Sequence, residues 1–262
     1  MADLDALPGR VSSSSYGIIA RALVLTAGLV ALKWIVHDRD LEFIQSLPLL
    51  TALMGGVIFT LAIILSGVLA DFKESERILG ELSSTIRRLH ADVETIATGE
   101  RLAAMRRHIL DAARALLGSL ADGQAIRMRD VFGPLDALDA KIVEQIRTVG
   151  PSPVMRTVQV NVGNVVRIAE RLEVVIETTF MKAGYYFAGI TVTGAIAALT
   201  FTQLASFLED IVLHGFASFL LTGLMILVME LDNPFSGSVR ISIRQMEKTT
   251  AYLETQAATN AA

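Results

Sequence analysis

The sequence contains no cysteine, and its four histidines are scattered along the chain. Without cysteine there can be no disulfide, no iron–sulfur cluster and no thiolate zinc site. No H-E-x-x-H pattern links the histidines, which are His37, His90, His108 and His214. The sequence therefore gives little support to a metalloenzyme, and we predict no metal ligand.

The motifs that hold phosphate groups or activate a serine are also missing. The sequence contains no G-x-x-x-x-G-K-[ST], no G-x-G-x-x-G and no G-x-S-x-G. An ATP-driven pump or a serine hydrolase is therefore disfavoured. Apart from Arg21 and Lys33 near the ends of the first apolar run, His214 is the one acidic or basic residue within the long apolar runs, and it lies near an end. Coupled transport therefore has little support. We predict no catalytic residue and no cofactor.

Apolar residues, in contrast, are abundant: 52% of the chain is hydrophobic and the mean hydropathy is +0.52. A membrane-spanning helix needs about 20 mostly apolar residues. Four segments fit this length, at residues 16–36, 48–70, 183–208 and 211–229. Glu209 and Asp210 separate the last two and are interpreted as the tip of a helical hairpin. The composition predicts a multi-pass protein embedded in a lipid bilayer.

The first segment carries Arg21 and Lys33 near its two ends. Long basic side chains at such positions can extend to the membrane surface, and Tyr16 and Trp34 suit the interfacial regions. We therefore interpret it as a membrane helix. A cleaved signal peptide is the alternative, although the basic region before the apolar run is thin and the run itself is long.

Lysine and arginine are distributed unevenly, and their distribution predicts the orientation. Sixteen of the 23 lie between Lys73 and Lys182, and the C-terminal tail adds Arg240, Arg244 and Lys248. Basic residues concentrate on the cytoplasmic side of membrane proteins. We therefore expect a protein of the inner or plasma membrane with both termini cytoplasmic. The predicted regions are residues 1–15 (cytoplasmic), 16–71 (first two membrane helices), 72–182 (cytoplasmic helical domain), 183–230 (last two membrane helices) and 231–262 (cytoplasmic tail).

The long middle region has helical periodicity. Apolar residues recur every three or four positions from residue 71 to about 120, with breaks expected at Gly99 or at residues 121–123. A loop around Gly133-Pro134 precedes a short helix over residues 135–149, and Gly150-Pro151-Ser152-Pro153 ends it. Residues 154–182 resume helical spacing and are expected to continue into the third span. The predicted fold class is all-α.

The middle region also contains a basic cluster: Arg87, Arg88, His90, Arg101, Arg106, Arg107 and His108. Four of its arginines, Arg87, Arg88, Arg106 and Arg107, would suit a vestibule that concentrates anions. The more usual interpretation is a solvated face paired with nearby acidic residues, or a patch facing anionic lipid. The region mixes charges of both signs without interleaved aromatic residues, so no nucleic-acid binding is predicted.

Two motifs carry a resemblance to a known family. The stretch Asp71-Phe72-Lys73-Glu74-Ser75-Glu76-Arg77-Ile78-Leu79-Gly80-Glu81-Leu82 follows the second span, and Asp232-Asn233-Pro234-Phe235-Ser236-Gly237 follows the fourth. The first resembles the bestrophin pattern R-W-W-E-A-R-x-L-W-G. Glu74, Leu79 and Gly80 match, whereas the paired tryptophans fall on Phe72 and Lys73 and are absent. The second resembles the N-P-F-G segment after the last bestrophin helix, and more closely the D-x-P-F-S-G segment of bacterial bestrophin-like proteins. Nearly the whole chain shares the bestrophin layout.

The resemblance implies a pentameric channel, typically anion-selective, whose second helix lines a hydrophobic neck. It places the neck at Gly55, Phe59 and Ile63, with glycine where the family has a bulky residue. It also assigns Asn233, Pro234 and Phe235 to the segment after the last helix. Residues 236–243 lack the acidic residues that bind calcium in animal members. The resemblance therefore does not imply calcium gating.

The residues themselves leave two interpretations of the second span open. One stripe of the helix consists of Ala52, Gly55, Phe59, Ile63 (or Ala62) and Ser66. In an oligomer, rings of Phe and Ile around a central axis would form an apolar constriction. Alternatively, the stripe packs against a neighbouring helix of the same chain. The predicted function is a homo-oligomeric, preferably pentameric, channel for small inorganic ions, and the alternative is a non-conducting membrane scaffold or signalling protein.

Overall fold

The computed structural model describes residues 13–45, 48–121, 126–177, 182–203, 206–232, 234–235 and 239–259. Within these residues the chain forms eight helices and one pair of two-residue strands, which confirms the predicted all-α class. In chain order the elements are α1 (Ser13–Asp38), β1 (Ile44–Gln45), α2 (Pro48–Ile96), α3 (Gly99–Ala121), α4 (Met128–Val149), α5 (Pro153–Glu177), α6 (Lys182–Thr200), β2 (Thr202–Gln203), α7 (Phe207–Leu231) and α8 (Arg244–Thr259).

The chain divides into two compact units. The first consists of Met1–Ala70 and Thr179–Arg240, and the second of Asp71–Thr178 and Ile241–Ala262. The long helix α2 contributes residues 48–70 to the first unit and the remainder to the second. Helix α8, within what we predicted as a C-terminal tail of residues 231–262, belongs to the second unit.

The first unit contains the apolar helices. In the part of the chain that the structure describes, four helices are long and apolar enough to cross a membrane: Tyr16–Asp38, Leu50–Ile96, Ala183–Thr200 and Phe207–Leu231. Only the charge-free first part of α2, residues 48–70, falls in this unit, and its length matches one bilayer crossing. Helix α7 packs against α1 and α6. Small residues permit a close approach, since Gly223 would contact Ala22 if it carried a Cβ atom.

The hairpin between α6 and α7 differs from our prediction. Helix α6 ends at Thr200, and Thr202–Gln203 pairs in parallel with Ile44–Gln45. Helix α7 then begins at Phe207, so Glu209 and Asp210 lie in its first turn rather than at the tip. Acidic side chains at a helix N-terminus interact favourably with the helix dipole. Asp210 is also buried, and its partner is described below.

The second unit is a bundle in which α3 packs against α4 and α8, and α4 packs against α5. Helix α4 begins at Met128, earlier than the predicted start at residue 135, and it contains Pro134. Proline removes one helical hydrogen bond and usually ends a helix. Here the helix persists because Val131 and Leu135 on either side of it are fully buried on one face.

The predicted helix breaks around Gly99 and Gly150 are confirmed. Helix α2 ends at Ile96 and α3 begins at Gly99, which has a φ of +59°. Gly150, with a φ of +97°, separates α4 from α5. Both values lie in a region that glycine adopts without steric cost. The predicted continuation from α5 into α6 depends on residues 178–181, which lie outside the described residues.

Candidate functional site

The residues predicted to form a neck lie together on one exposed face of α2. Phe59 is 67% exposed and Ile63 57% exposed, and Gly55 is exposed beside them. Successive residues of an α-helix are rotated by about 100°, so positions spaced by four lie within about 80° of one another over this set. Ala52 and Ser66 lie on the same face and are also exposed.

The opposite face of the same helix segment forms the packing surface. Leu61 is completely buried, and the other members of this face are buried too: Val57, Ile64 and Val68. These buried residues are the ones through which this segment packs within the chain. The stripe that contains Phe59 and Ile63 takes no part in that packing, and its large apolar side chains are exposed.

A second feature of the first unit is a buried charged cluster around Lys33. The Lys33 side chain is completely buried, and its ammonium nitrogen Nζ lies 2.7 Å from Glu42 Oε1 and 2.8 Å from Asp210 Oδ2. Nζ also donates a hydrogen bond to the backbone carbonyl of Thr202 in β2. We therefore correct the prediction that Lys33 extends to the membrane surface: it points inward and joins α1, β2 and α7.

Glu42 lies in the connection between α1 and α2 and has a second basic neighbour. Its Oε2 atom is 3.2 Å from Nδ1 of His37, whose ring stacks on Phe207 with ring centres 4.0 Å apart. Burial alone would raise the pKa of Glu42, but hydrogen bonds and charge interactions with Lys33 and His37 outweigh it and lower the pKa below its ordinary value. The carboxylate is thus held in its charged form.

The basic cluster of the second unit is distributed over several contacts. Arg106 pairs with Glu94, and the Arg87 guanidinium lies 5.3 Å from the centre of the Tyr252 ring. Arg88 and Arg107 are exposed. One part of the basic cluster is thus paired with an acidic side chain, and another part is exposed. That these arginines form an anion vestibule stays a prediction. Among the described residues, no group of three histidine or acidic side chains is placed to hold a metal ion.

Comparisons with solved structures identify the fold. A crystal structure of a bacterial bestrophin homologue from Klebsiella pneumoniae superimposes with a TM-score of 0.74 at 15% identity, over 92% of this chain and 98% of that one. The chain has the bestrophin fold. A single-substitution variant of that homologue matches with a TM-score of 0.73 at 15% identity, over 94% of this chain and 99% of that one. A crystal structure of a membrane protein with a single substitution matches with a TM-score of 0.74 at 16% identity, over 92% of this chain and 98% of that one. No family model and no curated protein matches the sequence.

With the bestrophin fold and four apolar helices, the chain is a multi-pass membrane protein. The fold agrees with the resemblance that the motifs after the second and fourth spans suggested. In the second of these motifs, Phe235 is buried and Pro234 is partly buried in the turn that follows α7. Asn233 lies outside the described residues.

The Lys33 cluster is a feature of this bestrophin fold that we did not predict from the sequence. Each member has a conventional local explanation: Lys33 lies near the end of a span, Glu42 in a connection and Asp210 beside another acidic residue. Their association depends on the packing of α1 against α7. A usable signal existed, since a basic residue within an apolar segment needs an acidic partner when it is buried.

Proposed function

We propose that the protein is an oligomeric channel for the passive flux of small ions, with its pore lined by the exposed face of α2. The observation that carries this proposal is the exposure of Phe59 and Ile63 on a helix whose opposite face, at Leu61, is completely buried. Four helices of one chain seldom enclose a pore, so the pathway requires several subunits around a central axis. The bestrophin fold supports this arrangement, and we propose a homopentamer.

The composition of this face suits an apolar constriction. Gly55 and Ala52 permit the helices to approach closely at one end, and Phe59 and Ile63 would form two successive rings of apolar side chains. Water is disfavoured in a narrow apolar segment, so such rings control ion passage by wetting and dewetting. Because Gly55 lacks a side chain, we propose two rings of apolar side chains rather than three.

We propose a slight preference for anions. The support is the excess of basic residues in the basic cluster, where Arg88 and Arg107 are exposed. Exposed positive charge raises the local concentration of anions within roughly one Debye length, about 8–10 Å at physiological salt. We further propose that the protein resides in the bacterial inner membrane with both termini in the cytoplasm, on the basis of the asymmetric distribution of lysine and arginine.

Purified protein in sealed liposomes tests this function. A channel should dissipate an imposed chloride or potassium gradient without any added energy source, and protein-free liposomes from the same lipid should not. Liposomes that contain the intact oligomer and remain as tight as the protein-free vesicles would favour the non-conducting scaffold. The rates at which the chloride gradient and the potassium gradient dissipate give the ion selectivity.

A further inference from the structure

A groove in the first unit lies between α2 and α7, beside the Lys33 cluster. Its volume is about 330 Å³, within the range of about 300–1,000 Å³ that is typical of small-molecule sites. Most of its wall is apolar, and Met54, Ile58 and Ala217 are among the lining residues. We propose that this groove binds one membrane lipid whose head group carries a primary ammonium.

The two ends of the groove differ in polarity. Asp210 and Thr202 lie at the end where α7 begins, and Ile58 and Leu221 lie further along α2 and α7. Since both helices start near the paired strands β1 and β2, the polar end is the one near the membrane surface and the apolar end lies deeper. A lipid has the same distribution, with its head group at the surface and its acyl chain in the hydrocarbon region.

His214 also lines the groove, but its ring is enclosed by the protein itself. It is 2% exposed, and its Nε2 atom lies 3.4 Å from the hydroxyl of Ser218. Its Nδ1 atom is buried rather than open to the groove, and the backbone of Leu29 on α1 is a hydrogen-bonding neighbour of the ring. We therefore assign the recognition of a polar head group to Asp210, the carboxylate of the groove wall.

The charges beside the groove favour a cationic head group. Lys33 contributes one formal positive charge, whereas Glu42 and Asp210 contribute two negative charges. His37 contacts Glu42. Of the two carboxylates of the cluster, Asp210 is the one that also lines the groove. An ammonium beside Asp210 would balance the excess charge and donate a hydrogen bond to its carboxylate. An anionic head group would be repelled.

Native mass spectrometry of the full-length protein tests this proposal. The protein is purified in detergent and incubated with phosphatidylethanolamine or phosphatidylglycerol of identical acyl chains. We expect phosphatidylethanolamine adducts to exceed those of phosphatidylglycerol by at least about tenfold, because the anionic lipid places a like charge beside Asp210. Equal binding of both lipids, preference for phosphatidylglycerol, or binding of neither lipid would overturn the proposal.

Two variants place the lipid in the groove. Ala217→Trp fills it and should abolish the specific adduct, whereas Ala27→Trp, at an exposed position of α1 outside the groove, should retain it. Undiminished binding to Ala217→Trp would locate the lipid elsewhere. Loss of the oligomer in Ala217→Trp, with Ala27→Trp intact, would show that a neighbouring subunit occupies the groove instead.

Discussion

The ammonium nitrogen of Lys33 lies 2.8 Å from a carboxylate oxygen of Asp210, and both side chains are almost completely buried. One residue belongs to α1 and the other to the first turn of α7, so this ion pair joins the first and the last apolar helix. A buried charge that loses its partner costs far more than an exposed one. We therefore expect the pair to be required for the stability of the first unit. Substituting another basic residue of α1 provides the comparison.

Lys33→Ala should destabilise the protein by about 3–5 kcal/mol, because it leaves Glu42 and Asp210 buried without their cation. Arg21→Ala is the matched control: Arg21 is on the same helix and pairs with Glu230, but its side chain is 60% exposed. Such a pair contributes about 0–1 kcal/mol. Thermal unfolding in one detergent measures both, and similar melting temperatures for the two variants would contradict the role assigned to Lys33.

The same cluster predicts a dependence on acidic pH. The pKa of folded Glu42 is lowered below its ordinary value of 4.5, so the unfolded chain takes up a proton before the folded chain does. The stability that Glu42 contributes is therefore complete above pH 4.5 and is lost as the pH falls through the lowered folded pKa. Other carboxylates titrate nearby, so the informative quantity is the difference between the wild-type protein and Glu42→Gln.

Glu42→Gln should have a lower melting temperature than the wild type at about pH 6, and this difference should shrink at about pH 3.5. The reason is that Glu42 of the unfolded wild-type chain is then largely protonated, so the folded chain loses part of the advantage that its charged carboxylate provides. A difference that stays constant over this range would show that the charge of Glu42 is not what stabilises the fold.

Two glycines of α3 should respond to alanine in opposite directions. Gly99 has a φ of +59°, where a Cβ atom costs about 1–2 kcal/mol, so Gly99→Ala should lower the melting temperature. Gly118 lies within the helix with open space around its Cα, so Gly118→Ala should raise stability by about 0.5–1 kcal/mol. Stabilisation by Gly99→Ala would mean that the break between α2 and α3 does not require the left-handed conformation.

The orientation can be measured directly, because the chain has no native cysteine. Arg39→Cys and Glu209→Cys, both exposed and both beside the paired strands, should react with an impermeant thiol reagent added outside intact cells. Asp136→Cys, exposed on α4, should react only after the membrane is opened. Labelling of position 136 from outside would reverse the proposed topology.

The sequence predicted the features that depend on local spacing. The all-α class, the four apolar helices and the breaks around Gly99 and Gly150 follow from hydropathy, periodicity and backbone preferences that act within a few residues. Residues 55, 59 and 63 share one face because of helix geometry alone. What spacing could not decide was whether that face is covered, since exposure depends on which side the other helices occupy.

The features that the sequence missed depend on contacts between distant segments. Glu209 and Asp210 predict a hairpin tip because two adjacent charges usually face water, whereas Asp210 is buried by its pairing with Lys33. Pro134 suggested a loop, yet tertiary burial of Val131 and Leu135 maintains α4 through it. In both places packing outweighs the local preference of the residue.

The proposed pore is best tested by variants that separate its rings from the packing face. Leu53→Ala/Leu69→Ala is the matched control for Phe59→Ala/Ile63→Ala, since all four side chains are exposed on α2 but residues 53 and 69 lie roughly 80–120° away from Phe59 around the helix. Leu61→Ala reports the packing face: it should destabilise the protein by about 2–5 kcal/mol without raising flux, because Leu61 is completely buried.

Ion flux into liposomes that contain Phe59→Ala/Ile63→Ala is the most direct measurement. If Phe59 and Ile63 form the apolar constriction, their removal widens it and permits water to fill it, so flux per oligomer should rise several-fold above the wild type at unchanged oligomeric mass. The Leu53→Ala/Leu69→Ala protein should conduct like the wild type. Equal flux from the wild type and Phe59→Ala/Ile63→Ala, both as intact oligomers, would contradict a pore lined by this face of α2.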